Sequence, residues 1–171
     1  MNRLAHSIFF AILSLLLQSP TVVAQTIPNG ALGVVSIDFV KVGHLPFLYG
    51  LKGEGRYLTY GKEGELCQVA HVPLVAGSFN SQEIGFGAGG AIELVIYNAE
   101  LSERLKTGQK AVSAHYNVSI PSMMQQGDIE IVSGLTLAEG FVLHPRKAWS
   151  SWFGYHPKPL TCEPVYQHKS L

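Results

Sequence analysis

Short segments in which apolar and polar residues alternate, separated by glycine or proline, make up most of this chain. The clearest runs from Ala111 to Ile120, where every second residue from Val112 onward is apolar and the residues between them are mostly polar. Alternation of this kind predicts a half-buried strand with one packed face and one solvent-exposed face. The 18 glycines and 9 prolines stand at nearly every junction, where turns require them.

The same reasoning predicts six further strands: Val34–Val42, Arg56–Tyr60, Leu66–Leu74, Ala91–Tyr97, Asp128–Val132 and Leu135–Leu143. Ser133 and Gly134 separate the last two strands and predict a tight hairpin turn. Only Ala99–Lys106 is typical of a helix, and it is two turns long. Many short strands and little helix favour an all-β fold, an antiparallel β-sandwich or barrel with at most one or two short helices.

The first 24 residues have the pattern of a cleavable signal peptide. Arg3 gives a weakly positive start, an apolar run extends from Ile8 to Leu17, and small side chains at Val22 and Ala24 precede a cut before Gln25. An apolar run of about ten residues is too short to span a membrane, which takes about 20. We therefore expect residues 1–24 to be removed and residues 25–171 to form one secreted, extracellular domain without a membrane span.

Charge excludes some partners. The sequence has 12 Lys and Arg against 12 Asp and Glu, and Arg3 leaves with the leader. Basic residues in the mature chain are scattered, and short pairs such as Arg146–Lys147 do not amount to a basic stripe. A nucleic-acid partner is therefore not expected, because such partners select clustered positive charge.

Cys67 and Cys162 are the two cysteines of the chain. In an oxidising compartment, two cysteines most simply pair with each other. A bridge that closes a loop of about 95 residues would stabilise the fold by roughly 4 to 5 kcal/mol on the chain-entropy model. The alternatives are an intermolecular bridge or a reactive free thiol.

The sequence contains two short motifs, of which only the first predicts a functional site. Asn117-Val118-Ser119 is an acceptor for N-glycosylation, and Asn117 falls on the polar face of its predicted strand, so a glycan is expected in a eukaryotic host. Gly85 to Gly90 matches G-x-G-x-x-G by letter. A dinucleotide site also needs a helix directly after the glycines, whereas Ala91–Tyr97 alternates like a strand. We therefore expect a loop or bulge and no cofactor.

No catalytic or metal-binding signature stands out. Six histidines remain after cleavage, without the spacing of a metal site: His44, His71, His115, His144, His156 and His168. An N-terminal copper site is disfavoured because the mature chain should begin with Gln25 rather than histidine. Glu130 and Glu139 lie on or near predicted strands with His115 and His144, but the sequence does not select a catalytic group among them.

Trp149, Trp152, Phe153 and Tyr155 form the most distinctive cluster of the sequence. Exposed rings of this kind would stack on sugars or anchor a protein interface. The alternative is that they close one end of the core. The segment reads as an irregular C-terminal strap that Cys162 ties to the rest of the domain.

Three functions follow, in order of preference. The leading hypothesis is a non-enzymatic extracellular β-sandwich that acts by binding, with a host or cell-surface protein as its partner. In leader, size and cysteine count the chain resembles the small secreted proteins of fungi, many of which are effectors, and the resemblance implies the same role. The second hypothesis is a carbohydrate-binding or wall-associated module that uses Trp149 and Trp152. The third is a small secreted hydrolase with convergent Glu, His or Arg side chains.

Overall fold

The computed structural model describes residues 26–78, 84–144 and 162–165. The predicted leader and the aromatic cluster Trp149, Trp152, Phe153 and Tyr155 lie outside these ranges. Within them, no helix has the length and apolar character needed to cross a membrane.

The described elements confirm an all-β fold with little helix. The strands are β1 Gly33–Leu45, β2 Leu48–Tyr60, β3 Leu66–Ser78, β4 Gly85–Ala88, β5 Ile92–Ile96, β6 Ala111–Val112, β7 Val118–Ser119, β8 Ile129–Ser133, β9 Gly140–Leu143 and β10 Glu163–Pro164. The α-helix α1 spans Ala99–Lys106, as predicted, and a 3-10 turn spans Ser113–His115.

All ten strands belong to one curled sheet that forms a half-barrel, with the order β6-β9-β3-β2-β1-β5-β8-β7. The prediction named a sandwich or a barrel, and the sheet is closer to the second. Its pairing is antiparallel except between β7 and β8, which are parallel. The antiparallel prediction therefore needs this one correction.

The long strands β1, β2 and β3 form a central ribbon. On its β1 side, β5 pairs with the first part of β1 and β4 with the last part, in one continuous register. On its β3 side, β10 pairs with the first part of β3 and β9 with the last part. The ribbon thus has two halves: the root half, which lies next to β5 and β10, and the distal half, which lies next to β4 and β9.

Two bulges separate the halves. One inserts an extra residue into β1 at Asp38 and Phe39, and the other inserts one into β3 at Ala70 and His71. Between them, Gly55 of β2 has no room for a side chain, because a Cβ would overlap the carbonyl oxygen of Ser36. Bulges bend a sheet and re-aim its side chains, so the ribbon curls along this line.

The inner face of the sheet holds the core. Val35, Tyr57 and Leu94 lie there on three adjacent strands, and Leu101 and Leu105 of α1 pack against the same cluster. The Tyr57 hydroxyl donates to Ser102 Oγ at 2.8 Å and links the sheet to the helix. The side chain of Asn98 caps α1 by accepting the backbone N–H of Leu101, which satisfies a donor that the first turn would otherwise leave unpaired.

Among the described residues, the outer face is covered only at the root half. There Val34 and Val95 are buried under Ala31, with Ile27 packed beside them. The predicted disulfide is also at the root: Cys67 on β3 is bonded to Cys162, and β10 then pairs beside it. The intramolecular bridge is therefore confirmed.

The continuous strand predicted over 111–120 is wrong. The chain forms β6, the 3-10 turn and β7 instead, because two serine hydroxyls bind backbone groups of other segments. Ser113 Oγ accepts the N–H of Phe141, and Ser119 Oγ accepts the N–H of Gly127. Both serines are buried, although the alternation had assigned them to the solvent face.

The hairpin predicted at Ser133–Gly134 is also wrong. β8 pairs with β5 and β7, whereas β9 pairs with β3 and β6 on the other side of the ribbon. Gly134 does adopt a positive φ of 79° and packs closely on Ala91. The glycine was therefore correctly assigned to a turn, but the turn leads across the half-barrel rather than back along β8.

Candidate functional site

The β1–β2 hairpin ends in a two-residue turn, Pro46–Phe47, between the paired residues Leu45 and Leu48. We call these four residues the hairpin tip. Leu45, Phe47 and Leu48 are all exposed, and the Phe47 side chain is 78% exposed. Phe47 has a φ of 66°, which is an outlier for a bulky residue and costs roughly 1 to 2 kcal/mol. A glycine would remove this cost, so the fold alone does not account for the phenylalanine.

Other large apolar side chains continue this surface onto the outer face of the distal half. Ile84, Phe86 and Phe39 are each at least three-quarters exposed. The Phe86 ring lies over Gly43 of β1, where a Cβ would meet ring carbons at 3.1 Å and 3.2 Å. A shallow, open groove of about 530 Å³ lies between residues 38–42 of β1 and residues 86–89, at the end of β4.

A second shallow groove, of about 460 Å³, crosses β1, β2 and β3 at the two bulges. We call it the charged groove. Asp38 pairs with Arg56 at 3.3 Å, and His71 Nδ1 donates to Glu54 Oε1 at 2.8 Å. The bulges account for this gathering, because each turns an additional side chain outward. His71 has a φ of 58° there, a conformation that non-glycine residues rarely adopt.

The charged groove contains residue types that are found in hydrolytic sites, but it is not enclosed as such sites usually are. A carboxylate bound to one imidazole nitrogen leaves the other nitrogen available as a base. However, the four side chains are each about two-fifths to four-fifths exposed, so water reaches the groove freely. Charge stabilisation in catalysis is strongest where water is excluded.

Two further titratable groups lie elsewhere. Burial lowers the pKa of His144, which is 8% exposed and whose Nε2 has no hydrogen-bond partner among the described residues. Asp128 joins the 117–119 segment to the N-terminus of α1. The Asn117 backbone N–H and the Asn98 side-chain amide both donate to its carboxylate and lower its pKa.

The other predicted site residues have mixed outcomes. Asn117 is exposed, as the glycosylation hypothesis requires, and its backbone is fixed by Asp128 and Ile129. Gly85–Ala88 forms a strand rather than the expected loop, and β5 follows it where a dinucleotide site would need a helix. Within 26–78, 84–144 and 162–165, no three His, Cys, Asp or Glu residues are placed to hold a metal ion.

Comparison with known proteins finds no matching family model, no similar curated protein and no similar solved structure.

Neither the hairpin tip nor the charged groove was predicted from the sequence. The segment that includes Gly50, Gly53 and Gly55 interrupts the apolar alternation, so only Arg56–Tyr60 of β2 was predicted. One signal was present: Leu45-Pro46-Phe47-Leu48 places a proline where a turn favours it, between apolar residues that a solvent-exposed turn does not need. The bulges that assemble the charged groove leave no such signal.

Proposed function

We propose that this chain is an exported, non-enzymatic binding protein that recognises an extracellular protein through its hairpin tip. The observation that carries the proposal is Phe47, a bulky ring held exposed in a strained conformation at the tip. Strained residues that the fold does not require are typical of binding and switch sites. Aromatic residues at the centre of an apolar patch supply much of the binding energy of protein interfaces.

The Phe47→Gly variant tests this proposal, because it separates binding from folding. Glycine adopts a positive φ without strain, so the variant should be at least as stable as the wild type while losing the ring. The labelled wild-type protein is screened against an array of recombinant ectodomains, and each interaction is measured again with the variant. We expect Phe47→Gly to weaken binding at least tenfold, an effect of roughly 1.4 kcal/mol or more.

Met124→Gly is the matched control, because Met124 is fully exposed and lies away from the tip in the 121–128 turn. It removes a similar apolar side chain and should leave binding unchanged. Equal losses in both variants, or no loss in either, would show that the tip is not the contact surface. If no ectodomain on the array binds, the proposal of a protein partner fails for the proteins tested.

The second candidate is a small hydrolase, and the Glu54–His71 pair beside Arg56 favours it. Wild-type protein is incubated with RNA, glycan and ester substrates, and the assays are repeated with His71→Gln. Hydrolysis by the wild type that falls at least a hundredfold in the variant would support an enzyme. The carbohydrate-binding alternative depends on Trp149 and Trp152, outside the described residues, and retention on insoluble polysaccharides tests it.

Export and glycosylation belong to the same proposal. The leader pattern, the Cys67–Cys162 bridge and the exposed Asn117 together support passage through a eukaryotic secretory pathway. Protein secreted from such a host should begin at Gln25 and shift on a gel after glycosidase treatment. The control for the glycan is Asn117→Gln rather than Ser119→Ala, because Ser119 also holds the Gly127 N–H in the interior. An unchanged mobility would rule out the glycan.

A further inference from the structure

The outer edge of β4, which faces away from β1, has no strand partner among the described residues. β8 covers the corresponding edge of β5 and ends at Ser133, where Gly134 packs on Ala91. Among the described residues, the unpaired edge therefore runs from Gly90 back to Ile84. Unpaired edges attract further strands unless charge, proline or a covering segment protects them, and residues 84–90 contain neither charge nor proline.

The hydrogen-bonding groups of this edge follow from its register with β1. The Gly89 N–H donates to the Val40 carbonyl at 2.9 Å, and in an antiparallel pair such bonded residues alternate with unbonded ones. Gly87 and Gly85 are therefore bonded to β1 in the same way. Phe86 and Ala88 each direct an N–H and a C=O away from β1, to the free edge.

We propose that this edge binds a second copy of the same chain, with β4 antiparallel to its mate and a two-fold axis at Gly87. The backbone N–H and C=O of Phe86 then bond to the C=O and N–H of Ala88 of the other copy. By symmetry, Ala88 of the first copy bonds to Phe86 of the second in the same way. The edge is self-complementary in this register because Gly87 is the central residue of 84–90. Such an isologous two-fold contact is the commonest form of soluble oligomer.

The apolar side chains of the outer face support this register. Ile84, Phe86 and Ala88 point to the outer face in both copies, since Gly87 and Gly89 direct their hydrogens toward Val42 and Val40 on the inner side. Across the axis, Phe86 becomes the neighbour of Ala88 of the second copy. Ile84 of the second copy becomes the neighbour of Gly90, whose missing side chain leaves Phe39 within reach on the next strand.

Glycine at position 87 fits the axis itself. The two Gly87 residues would form an unbonded pair, in which Cα atoms approach to about 4.5 Å, and no side chain obstructs the approach. The contact is formed mainly by residues 84–90 of each copy, whereas a standard interface involves roughly 20 to 30 residues a side. We therefore expect a reversible dimer. It does not use Phe47, so the Phe47→Gly variant tests the proposed binding function without testing the dimer.

The first test is sedimentation velocity of the full secreted chain from micromolar to near-millimolar concentration. We expect a shift from monomer to dimer. Ala88→Pro removes one edge N–H from each copy without touching the β1 pairing, and should leave a monomer at every concentration. Ala88→Ser keeps the N–H at the same position and should dimerise as the wild type does. A monomeric wild type, or equal behaviour of the two variants, would overturn the proposal.

Site-specific cross-linking tests the register and does not depend on the proline variant folding. The two-fold axis brings the 87 positions together, at a Cα separation that a disulfide accepts. Gly87→Cys should therefore form a covalent dimer under mild oxidation. Gly90→Cys is the matched control, because antiparallel pairing puts the two 90 positions about six residues, or roughly 20 Å, apart. Cross-linking of the Gly90→Cys variant, or none with Gly87→Cys, would contradict this dimer.

Discussion

The two halves of the β1–β2–β3 ribbon share the same strands but differ in what covers them. At the root half, the core and α1 lie on the inner face, Ala31 and Ile27 cover the outer face, and the disulfide is at its margin. At the distal half, no described segment covers the outer face, which carries exposed phenylalanines and one shallow groove, and the charged groove lies where the two halves meet. The same sheet thus combines a region built for stability with a region available for contact, and the bulges at Asp38 and His71 mark the boundary.

Among the changes that test this contrast, removal of the disulfide should have the largest effect on stability. Replacing both cysteines, Cys67→Ala with Cys162→Ala, should lower the free energy of unfolding by about 2 to 5 kcal/mol, because the unfolded chain regains the freedom of a long loop. Urea unfolding of the variant and the wild type measures the difference. A change below about 1 kcal/mol would mean that the root half does not depend on the bridge.

A matched pair of apolar truncations compares the outer faces directly. Val95→Ala removes two methyl groups from the covered root half and should cost about 2 kcal/mol. Phe39→Ala removes a larger side chain from the distal half, where it is 81% exposed, and should change stability by less than about 0.5 kcal/mol. Thermal and urea unfolding measure both. Equal losses of stability in the two variants would show that the two outer faces do not differ in this way.

A pH effect is expected from His144, which follows β9 and donates its backbone N–H to Pro73 in the distal half. Burial lowers the pKa of His144 from 6.5 in the folded state, so below pH 6.5 the unfolded chain binds a proton that the folded chain excludes. Stability should therefore fall as the pH drops through 6.5 and level off below the folded pKa. His144→Asn tolerates the positive φ of 47° and should remove this slope.

Unfolding measured between pH 8 and pH 5 tests the His144 effect, which should be smaller than that of Val95→Ala. The titration of Asp128 does not contribute to the change in stability over this pH range. Its carboxylate, stabilised by the Asn117 backbone N–H, has its pKa lowered from 3.8, so its contribution is lost only at more acidic pH. A slope that persists in the His144→Asn variant would assign the pH dependence to another group.

No loss of stability is expected from a substitution at Gly50, on the outer face of the distal half. A Cβ there would be 4.0 Å from the Ala76 carbonyl oxygen, an ordinary contact, and φ is not positive. Gly50→Ala should therefore leave stability unchanged or raise it by up to about 1 kcal/mol, because alanine loses less freedom on folding. Urea unfolding measures this, and a loss above about 1 kcal/mol would show that the distal face is as tightly constrained as the root.

The sequence predicted best where local chemistry decides the structure. Asn98 caps a helix in the predicted place, and Ile92, Leu94 and Ile96 share a buried face as their alternation indicated. Two cysteines allow only one pairing within a chain. Each of these features depends on neighbours in the sequence or on a single pairing, which is why a pattern could reveal it.

The prediction failed where distant groups decide the structure. Ser113 and Ser119 are buried because they bind the backbone N–H groups of Phe141 and Gly127, which no alternation encodes. The charged groove needs a bulge in β1 and another in β3, and each depends on how three strands pair. The hairpin tip was missed for a simpler reason, since the glycines of β2 concealed the strand that supports it.

The disulfide also determines how the domain responds to cleavage of its backbone. A single cut anywhere between Cys67 and Cys162, for example in the exposed turn at Met124, leaves two pieces that remain covalently joined. A cut at Phe47 lies outside that loop, so the piece with β1 would be held by pairing and packing alone. The hairpin tip, proposed to bind a protein partner, is therefore a part of the fold whose fragments the disulfide would not hold together after cleavage.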